Sequence, residues 1–267
     1  MTKPQPPSVE PALTGVRNFR DVGGLPAPDG RRVRTGRLFR SGHLAHATPT
    51  DQDFLAGLGL HTVFDFRNAS DQALEGPDVP LSGVRNVNIP LSDAADSEEF
   101  WRTVRSGTLD ELRAALPDGA AEASMLATYR GMVLTRTEQH GRVLRALAGG
   151  AVPALLHCAA GKDRAGLAVA VVLLALGVDR EAITADYLMS NAPHRRYRLL
   201  RNDAESVRSE EVTRLLAPLF DARATYLDAA FAQIDETWGG PERYLSEGLA
   251  FPPADQERLR TALLTES

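Results

Sequence analysis

Apolar and polar positions along this chain fall into two alternating kinds of run. Short runs at 37–41, 62–66 and 152–157, and a loosely alternating one at 84–89, predict strands. Longer stretches with apolar residues at helical spacing fall between and after them. At 48–51, Thr-Pro-Thr-Asp supplies an N-cap, a proline for the first helical position and an acid three residues on. Phe54, Leu55, Leu58 and Leu60 then give that helix its apolar face, and His61 reads as a helix-end residue. Helices are also expected at 98–104 and 109–116, closed by the turn Pro117-Asp118-Gly119. A helical period runs on through 121–147, with Met125, Tyr129, Met132 and Val133. Asp179 is placed to cap a helix carrying Asp186 and Tyr187, which Pro193 ends, and amphipathic helices follow at 226–238 and 254–264. Nearer the start, 16–21 is a short extended segment ended by Gly23-Gly24, and Pro28-Asp29-Gly30 is a turn. Strands interleaved with helices define an α/β class, with a mostly parallel central sheet flanked by helices.

The pattern is sharpest at 152–176, V-P-A-L-L-H-C-A-A-G-K-D-R-A-G-L-A-V-A-V-V-L-L-A-L. It predicts a buried strand, a tight polar loop and a long apolar helix. Cys158, the sole cysteine, stands at the tip of the strand, and Arg164 stands where the loop becomes helix. Small residues and Gly161 let backbone N–H groups of the loop 159–163 converge ahead of the helix N-terminus, and that is an anion site. The same field favours a thiolate at Cys158. Arg164 can hold two phosphoryl oxygens with its planar fork. The competing reading of an isolated cysteine is a buried structural one. Against it, Lys162, Asp163 and Arg164 sit beside a core strand, where three charged side chains are costly to bury without a ligand.

Composition changes the picture in a few places. A chain of 267 residues can enclose one sizeable core, so 14–267 reads as a single domain behind a proline-rich, disordered lead-in at 1–13. A hydrophobic fraction of 43% is ordinary for a globular protein. The net charge of -5 draws the chain to neither nucleic acid nor an anionic membrane, so any attraction for polyanions must be local. Residues 1–10 lack the apolar core of a signal peptide, and the run 167–176 is too short to span a bilayer. No integral membrane segment and a cytoplasmic location are therefore expected, with signal-less export left open. One cysteine allows no internal disulfide, and the pattern fixes no oligomeric state. Only Lys3 and Lys162 are lysines among 30 basic residues, which marks Lys162 as a compact charge chosen over an arginine fork. A basic cluster, His194-Arg195-Arg196-Tyr197-Arg198 with Arg201, precedes an amphipathic stretch with Leu215, Leu216 and Leu219. Asp65 falls at the C-terminal end of its strand, where it suits either acid–base work or a hydrogen-bond anchor behind the loop. Arg20 and Asp21 either reach the site or brace the sheet as an ion pair.

His157-Cys158-Ala159-Ala160-Gly161-Lys162-Asp163-Arg164-Ala165-Gly166 resembles the P-loop of the mycobacterial protein tyrosine phosphatase B family of bacterial tyrosine and lipid phosphatases. Asn18-Phe19-Arg20-Asp21-Val22-Gly23-Gly24, Arg40-Ser41-Gly42-His43-Leu44, Phe64-Asp65-Phe66-Arg67 and Asp186-Tyr187-Leu188-Met189-Ser190-Asn191 match in the family's order. The resemblance implies a cysteine-dependent phosphatase fold and a phosphocysteine intermediate formed on Cys158. It implies a general acid within the loop, at Asp163, and activity on phosphoinositides as well as phosphoproteins linked to Lys162. A mobile helical lid is implied near 194–240. Substrate contacts are expected from Ala159, Ala160, Gly161, Lys162, Ala165, Asp65 and Arg20. No metal or cofactor is expected, because Arg164 and the loop supply the positive charge. One departure is Ala165, where the family has a Thr or Ser hydroxyl that assists hydrolysis of the phosphocysteine. The alternative is therefore a slow or inactive module that binds phosphate or phosphoinositide. Arsenate reduction would call for a resolving thiol that Cys158 lacks, and a sulfurtransferase has no need of the Lys-Asp-Arg triplet.

Overall fold

The structure, a computed structural model, describes residues 13–93, 98–196 and 210–266. One sheet has the order β1-β2-β5-β3-β4. Its strands are β1 (Arg20–Asp21), β2 (Leu38–Ser41), β3 (Thr62–Asp65), β4 (Arg85–Asn88) and β5 (Ala154–His157). Only β1 pairs antiparallel; the other neighbours run parallel. The register sets Ser41, His157 and Asp65 level across the three central strands. The chain therefore leaves β5 in mid-sheet at the carboxyl edge, where an α/β sheet leaves its ligand crevice.

Every residue of β2, β3 and β5 is buried, as the near-continuous apolar runs require of strands covered on both faces. Their side chains alternate between two cores. Leu38, Phe64, Ala154 and Leu156 face a large cluster, while Phe39, Val63 and Leu155 face a smaller one on the other side. The small core is closed by α1 (Pro49–Gly57) through Leu55. On the large side lie α5 (Ala120–Thr135), α6 (Thr137–Ala148), α7 (Arg164–Ala175), α8 (Arg180–Leu188), α9 (Glu210–Phe220), α10 (Ala224–Trp238) and a C-terminal helix, Pro253–Leu263. Three short helices follow the strand edges: α2 (Ala69–Glu75), α3 (Glu98–Ser106) and α4 (Leu109–Ala115). Within α7 every residue after Arg164 is buried, which is the place for a helix that is apolar all round.

The start of α1 closes as its sequence foretells. The Thr48 side chain accepts from the Asp51 N–H, and the Thr48 N–H donates to the Asp51 carboxylate at 3.0 Å. Elsewhere the outcome differs. The period at 121–147 is divided at Arg136, whose φ of -117° and ψ of 28° interrupt the helix without disturbing the apolar spacing. Asp179 does stand at the N-cap of α8, but its side chain makes no capping bond. Of the extended segment at 16–21 only β1 pairs, because Asn18 turns the chain with a φ of 55°. Tyr197, Arg198 and Arg201 of the basic cluster, and the lead-in at 1–12, lie outside the described residues. Within the span expected to be a lid, α9 and α10 are formed, and both pack on α5.

Candidate active site

The loop from Cys158 to Asp163 is held from behind, and the way it is held fixes the direction of its N–H groups. Ala159 O accepts from the His43 N–H at 3.1 Å and Ala160 O from Asn18 Nδ2 at 3.2 Å. Arg40 Nη2 donates to Gly161 O at 2.8 Å and to Lys162 O at 3.3 Å. In a planar trans peptide the N–H points opposite its carbonyl. Four successive carbonyls drawn backwards therefore turn the N–H groups of Ala160, Gly161, Lys162 and Asp163 forwards. Gly161 makes this possible: its φ is +68°, and a Cβ there would lie 2.3 Å from the carbonyl carbon and oxygen of Ser41.

The props are themselves anchored. Asp186 accepts from Arg20 Nε at 2.9 Å and from Arg40 Nη1 at 2.7 Å, while Arg20 also donates to Asn18 Oδ1 at 2.6 Å. Burial alone would raise the Asp186 carboxyl, but Arg40 and Arg20 hold it below the usual carboxylate range. Burial, together with the charge of Arg40, brings Arg20 down to about 10. Arg20 is thus a brace behind the loop and does not line the cavity, contrary to the expectation that it contacts substrate. Asp65 is likewise turned away. Its carboxylate accepts from Arg67 Nε at 3.0 Å, Arg67 Nη2 at 3.0 Å and Gln72 Nε2 at 3.0 Å.

In front of the loop lies a half-open cavity of about 640 Å³. Cys158, Ala159, Ala160, Lys162, Asp163 and Arg164 form one side; Leu74, Trp101 and Phe220 form an apolar wall opposite. Gly161 and Ala165 are buried beneath and do not line it. Cys158 is 2% exposed. Arg164 forms an ion pair with Asp71 through Nη1, with Nη2 3.3 Å from Asp71 Oδ1, and Nη1 donates to Ser92 Oγ at 3.1 Å. Burial opposes the Arg164 charge, but Cys158 and Asp71 beside it outweigh that and raise its pKa above the ordinary arginine value. Asp71 is fixed in turn by a capping box at the start of α2, where it accepts from the Asn68 N–H at 3.0 Å. Asp163 Oδ1 accepts from Lys162 Nζ at 2.6 Å and from the Tyr129 hydroxyl at 2.8 Å. Lys162, 4% exposed, donates onward to Asp221 O at 3.1 Å. Its ammonium is held within the protein.

Of the residues singled out from the sequence, Cys158, Ala159, Ala160, Lys162, Asp163 and Arg164 meet at one cavity; Gly161 and Ala165 are buried beneath it, Arg20 braces the loop from behind, and Asp65 is taken up by Arg67 and Gln72. Sequence reasoning missed Asp71, Ser92 and Tyr129, together with the wall of Leu74, Trp101 and Phe220. The capping pattern Asn68-x-x-Asp71 directly after a strand is the signal that could have found Asp71. The fold also gathers one group of metal-type donors among the described residues: Asp65, Asp78 and His157 lie within 4.8 Å of one another. Arg67 already lies among them, with its Nη2 2.9 Å from Asp78 Oδ1, and it supplies the positive charge that a cation would bring.

A thiol and an arginine at the two ends of a strand–loop–helix anion cradle define a cysteine-loop phosphoric monoester hydrolase. The chain belongs to the tyrosine phosphatase family, whose sequence profile matches residues 11–265. Its function is of the protein tyrosine phosphatase type. It is 35% identical to a Cupriavidus necator protein named as a tyrosine-protein phosphatase, over 89% of this chain and 83% of that one. It is 36% identical to the triple specificity protein phosphatase PtpB of Mycobacterium tuberculosis, over 94% of this chain and 98% of that one. The solved structure of TpbA from P. aeruginosa matches with a TM-score of 0.30 and 18% identity, covering 77% of this chain and 96% of that one. Among the described residues no helix is long and apolar enough to cross a membrane.

Proposed function

We propose that this protein hydrolyses phosphomonoesters through a phosphocysteine formed on Cys158. The observation that carries the reading is the convergence of Cys158, Arg164 and Asp163 on one cavity behind four forward-facing N–H groups. The Cys158 sulfur attacks phosphorus and the P–O ester bond breaks. The loop N–H groups and Arg164 take up charge on the equatorial oxygens, and Asp163 gives its proton to the departing oxygen. Water then attacks the phosphocysteine, its proton passes to Asp163, the S–P bond breaks, and inorganic phosphate leaves. Within this reading 14–267 acts as one phosphatase unit.

Phosphotyrosine in proteins is the substrate best suited to the cavity. Leu74, Trp101 and Phe220 offer an apolar wall for an aryl ring whose phosphate rests on the loop. The M. tuberculosis relative is named a triple specificity protein phosphatase; phosphoserine, phosphothreonine and phosphoinositides are the competing substrates that the sequence resemblance implies. For the lipid the lysine is weak support, since Lys162 is engaged by Asp163 and Asp221. A second reading, a module that binds phosphate but turns it over slowly, is favoured by Ala165 alone.

The test is phosphate release from p-nitrophenyl phosphate, a phosphotyrosine peptide, phosphoserine and phosphothreonine peptides and a phosphoinositide panel, comparing wild type with Cys158→Ser. Turnover on the aryl phosphates that the variant abolishes is the expected result. No turnover by wild type, with phosphate still protecting Cys158 from alkylation, would leave the binding module in its place.

A further inference from the structure

Behind the loop, on the face away from the substrate, α5 presents Tyr129 to Asp163. Tyr129 is fully buried, yet its hydroxyl has two good partners: it donates to Asp163 Oδ1 at 2.8 Å and lies 2.7 Å from the Tyr187 hydroxyl. The rings of Tyr187 and Tyr226 pack against it, with centroids 6.2 Å and 5.5 Å away. Burial keeps the phenol protonated, so it stays a donor. A tyrosine has two side-chain torsions and here both are fixed by packing, so its hydroxyl marks a defined point in space. Lys162 Nζ, at the end of a four-carbon stem, brings charge to the same oxygen but less direction.

We propose that Tyr129 is a positioning residue for proton transfer, its hydroxyl fixing the Asp163 carboxyl so that the proton to be given resides on Oδ2. The proposal rests on the reading of Asp163 as general acid. A carboxyl oxygen that accepts two hydrogen bonds does not also carry the proton, so donors on Oδ1 leave Oδ2 as the acidic position. Once that proton has gone to the departing oxygen, the same two donors meet the new negative charge. The carboxylate is then held ready to take a proton from the attacking water.

The experiment compares wild type, Tyr129→Phe, Asp163→Asn and the double variant on p-nitrophenyl phosphate and on unsubstituted phenyl phosphate. Nitrophenolate leaves readily without a proton, whereas phenolate needs one. A hydrogen bond to a charged group corresponds to about a ten- to hundred-fold loss of kcat/KM, which reads the first phosphoryl transfer, for Tyr129→Phe on phenyl phosphate. The loss of kcat/KM on p-nitrophenyl phosphate is expected to be much smaller, and no further loss is expected from Tyr129→Phe in the Asp163→Asn background. Tyr187→Phe leaves the Asp163 contact and removes the hydroxyl that steadies Tyr129 and that also accepts from the Arg223 N–H. It should give the same substrate pattern at smaller amplitude, which keeps the inference testable if Tyr129→Phe folds poorly. Equal losses on both substrates, or an undiminished loss in the Asp163→Asn background, would overturn it. If Asp163→Asn itself treats both substrates alike, the general-acid reading has failed as well, and the two failures are told apart by that arm.

Discussion

Replacing Gly161 by alanine tests the idea that the loop is shaped by its contact with the end of β2. Two costs add at this position. Alanine at a φ of +68° is in the left-handed region, which costs about 1–2 kcal/mol. The new Cβ also meets Ser41 C and O at 2.3 Å and Gly42 N at 2.5 Å. All three are backbone atoms at the end of β2, which is paired to β5, so they cannot swing aside as a side-chain tip would. Forced repacking of this kind adds about 1–3 kcal/mol, for a sum of roughly 2–5 kcal/mol. Gly24 is the control: its φ is +91°, but a Cβ there has nothing within 4 Å, so Gly24→Ala carries the strain without the collision. In a chain of this size each kcal/mol lowers Tm by about 2–4 °C, so Gly161→Ala should fall by roughly 5–15 °C and Gly24→Ala by a few degrees. Activity separates the two further. Relieving a 2.3 Å contact displaces the loop by about 1 Å, and a shift of that size costs about 100-fold in turnover. Thermal unfolding and kcat/KM on p-nitrophenyl phosphate, measured on both variants, read the two effects. A Gly161→Ala protein with the Tm of Gly24→Ala and near wild-type turnover would refute the reasoning.

Ala165→Ser, which adds a single oxygen at a fully buried position, should raise kcat with little change in phosphate affinity by speeding hydrolysis of the phosphocysteine. Burst and steady-state rates on p-nitrophenyl phosphate measure this, and an unchanged or lower kcat in a folded variant counts against the account. Acid should weaken the fold through His140, whose Nε2 has no hydrogen-bond partner among the described residues and whose pKa burial pushes down from 6.5 to about 4. At pH 7 the imidazole is neutral in both states; below 6.5 the unfolded chain accepts a proton that the fold refuses. Stability is therefore lost as pH falls towards 4, by up to about 3 kcal/mol. Asp186, held below the usual carboxylate range, contributes stability that is lost only at lower pH still. Urea unfolding at pH 7 and pH 5 should show the loss in wild type and not in His140→Asn, and equal losses in both would sink the assignment.

The segment 152–176 was legible because each part of it has a local cause. An apolar run makes a strand, small residues and a glycine make the loop, and an unbroken apolar stretch makes a buried helix. Cys158, Asp163 and Arg164 could be read from that segment alone. The direction in which a side chain faces was not legible where it depends on a distant partner. Arg20 and Asp65 both lie at strand ends that suit a ligand. Arg20 turns back because Asp186, 166 residues away, waits behind the loop, and Asp65 because Arg67 curls over it. Asp71 and Tyr129 escaped for the same reason: one meets Arg164 across 93 residues and the other meets Asp163 across 34. The break at Arg136 was invisible because the apolar spacing resumes in α6 with Val143, Leu144 and Leu147 buried like their counterparts in α5.

Lys162 lies closed between Asp163 and the Asp221 carbonyl, in a chain with only one other lysine. That makes the protein its own chemical footprinting reagent target. An acylating probe reacts with the free amine, so in the native chain Lys162 must first give up its bonds to Asp163 and Asp221. The rate at which the Lys162 adduct grows in a mass spectrum therefore reports how often those bonds open, with no residue changed.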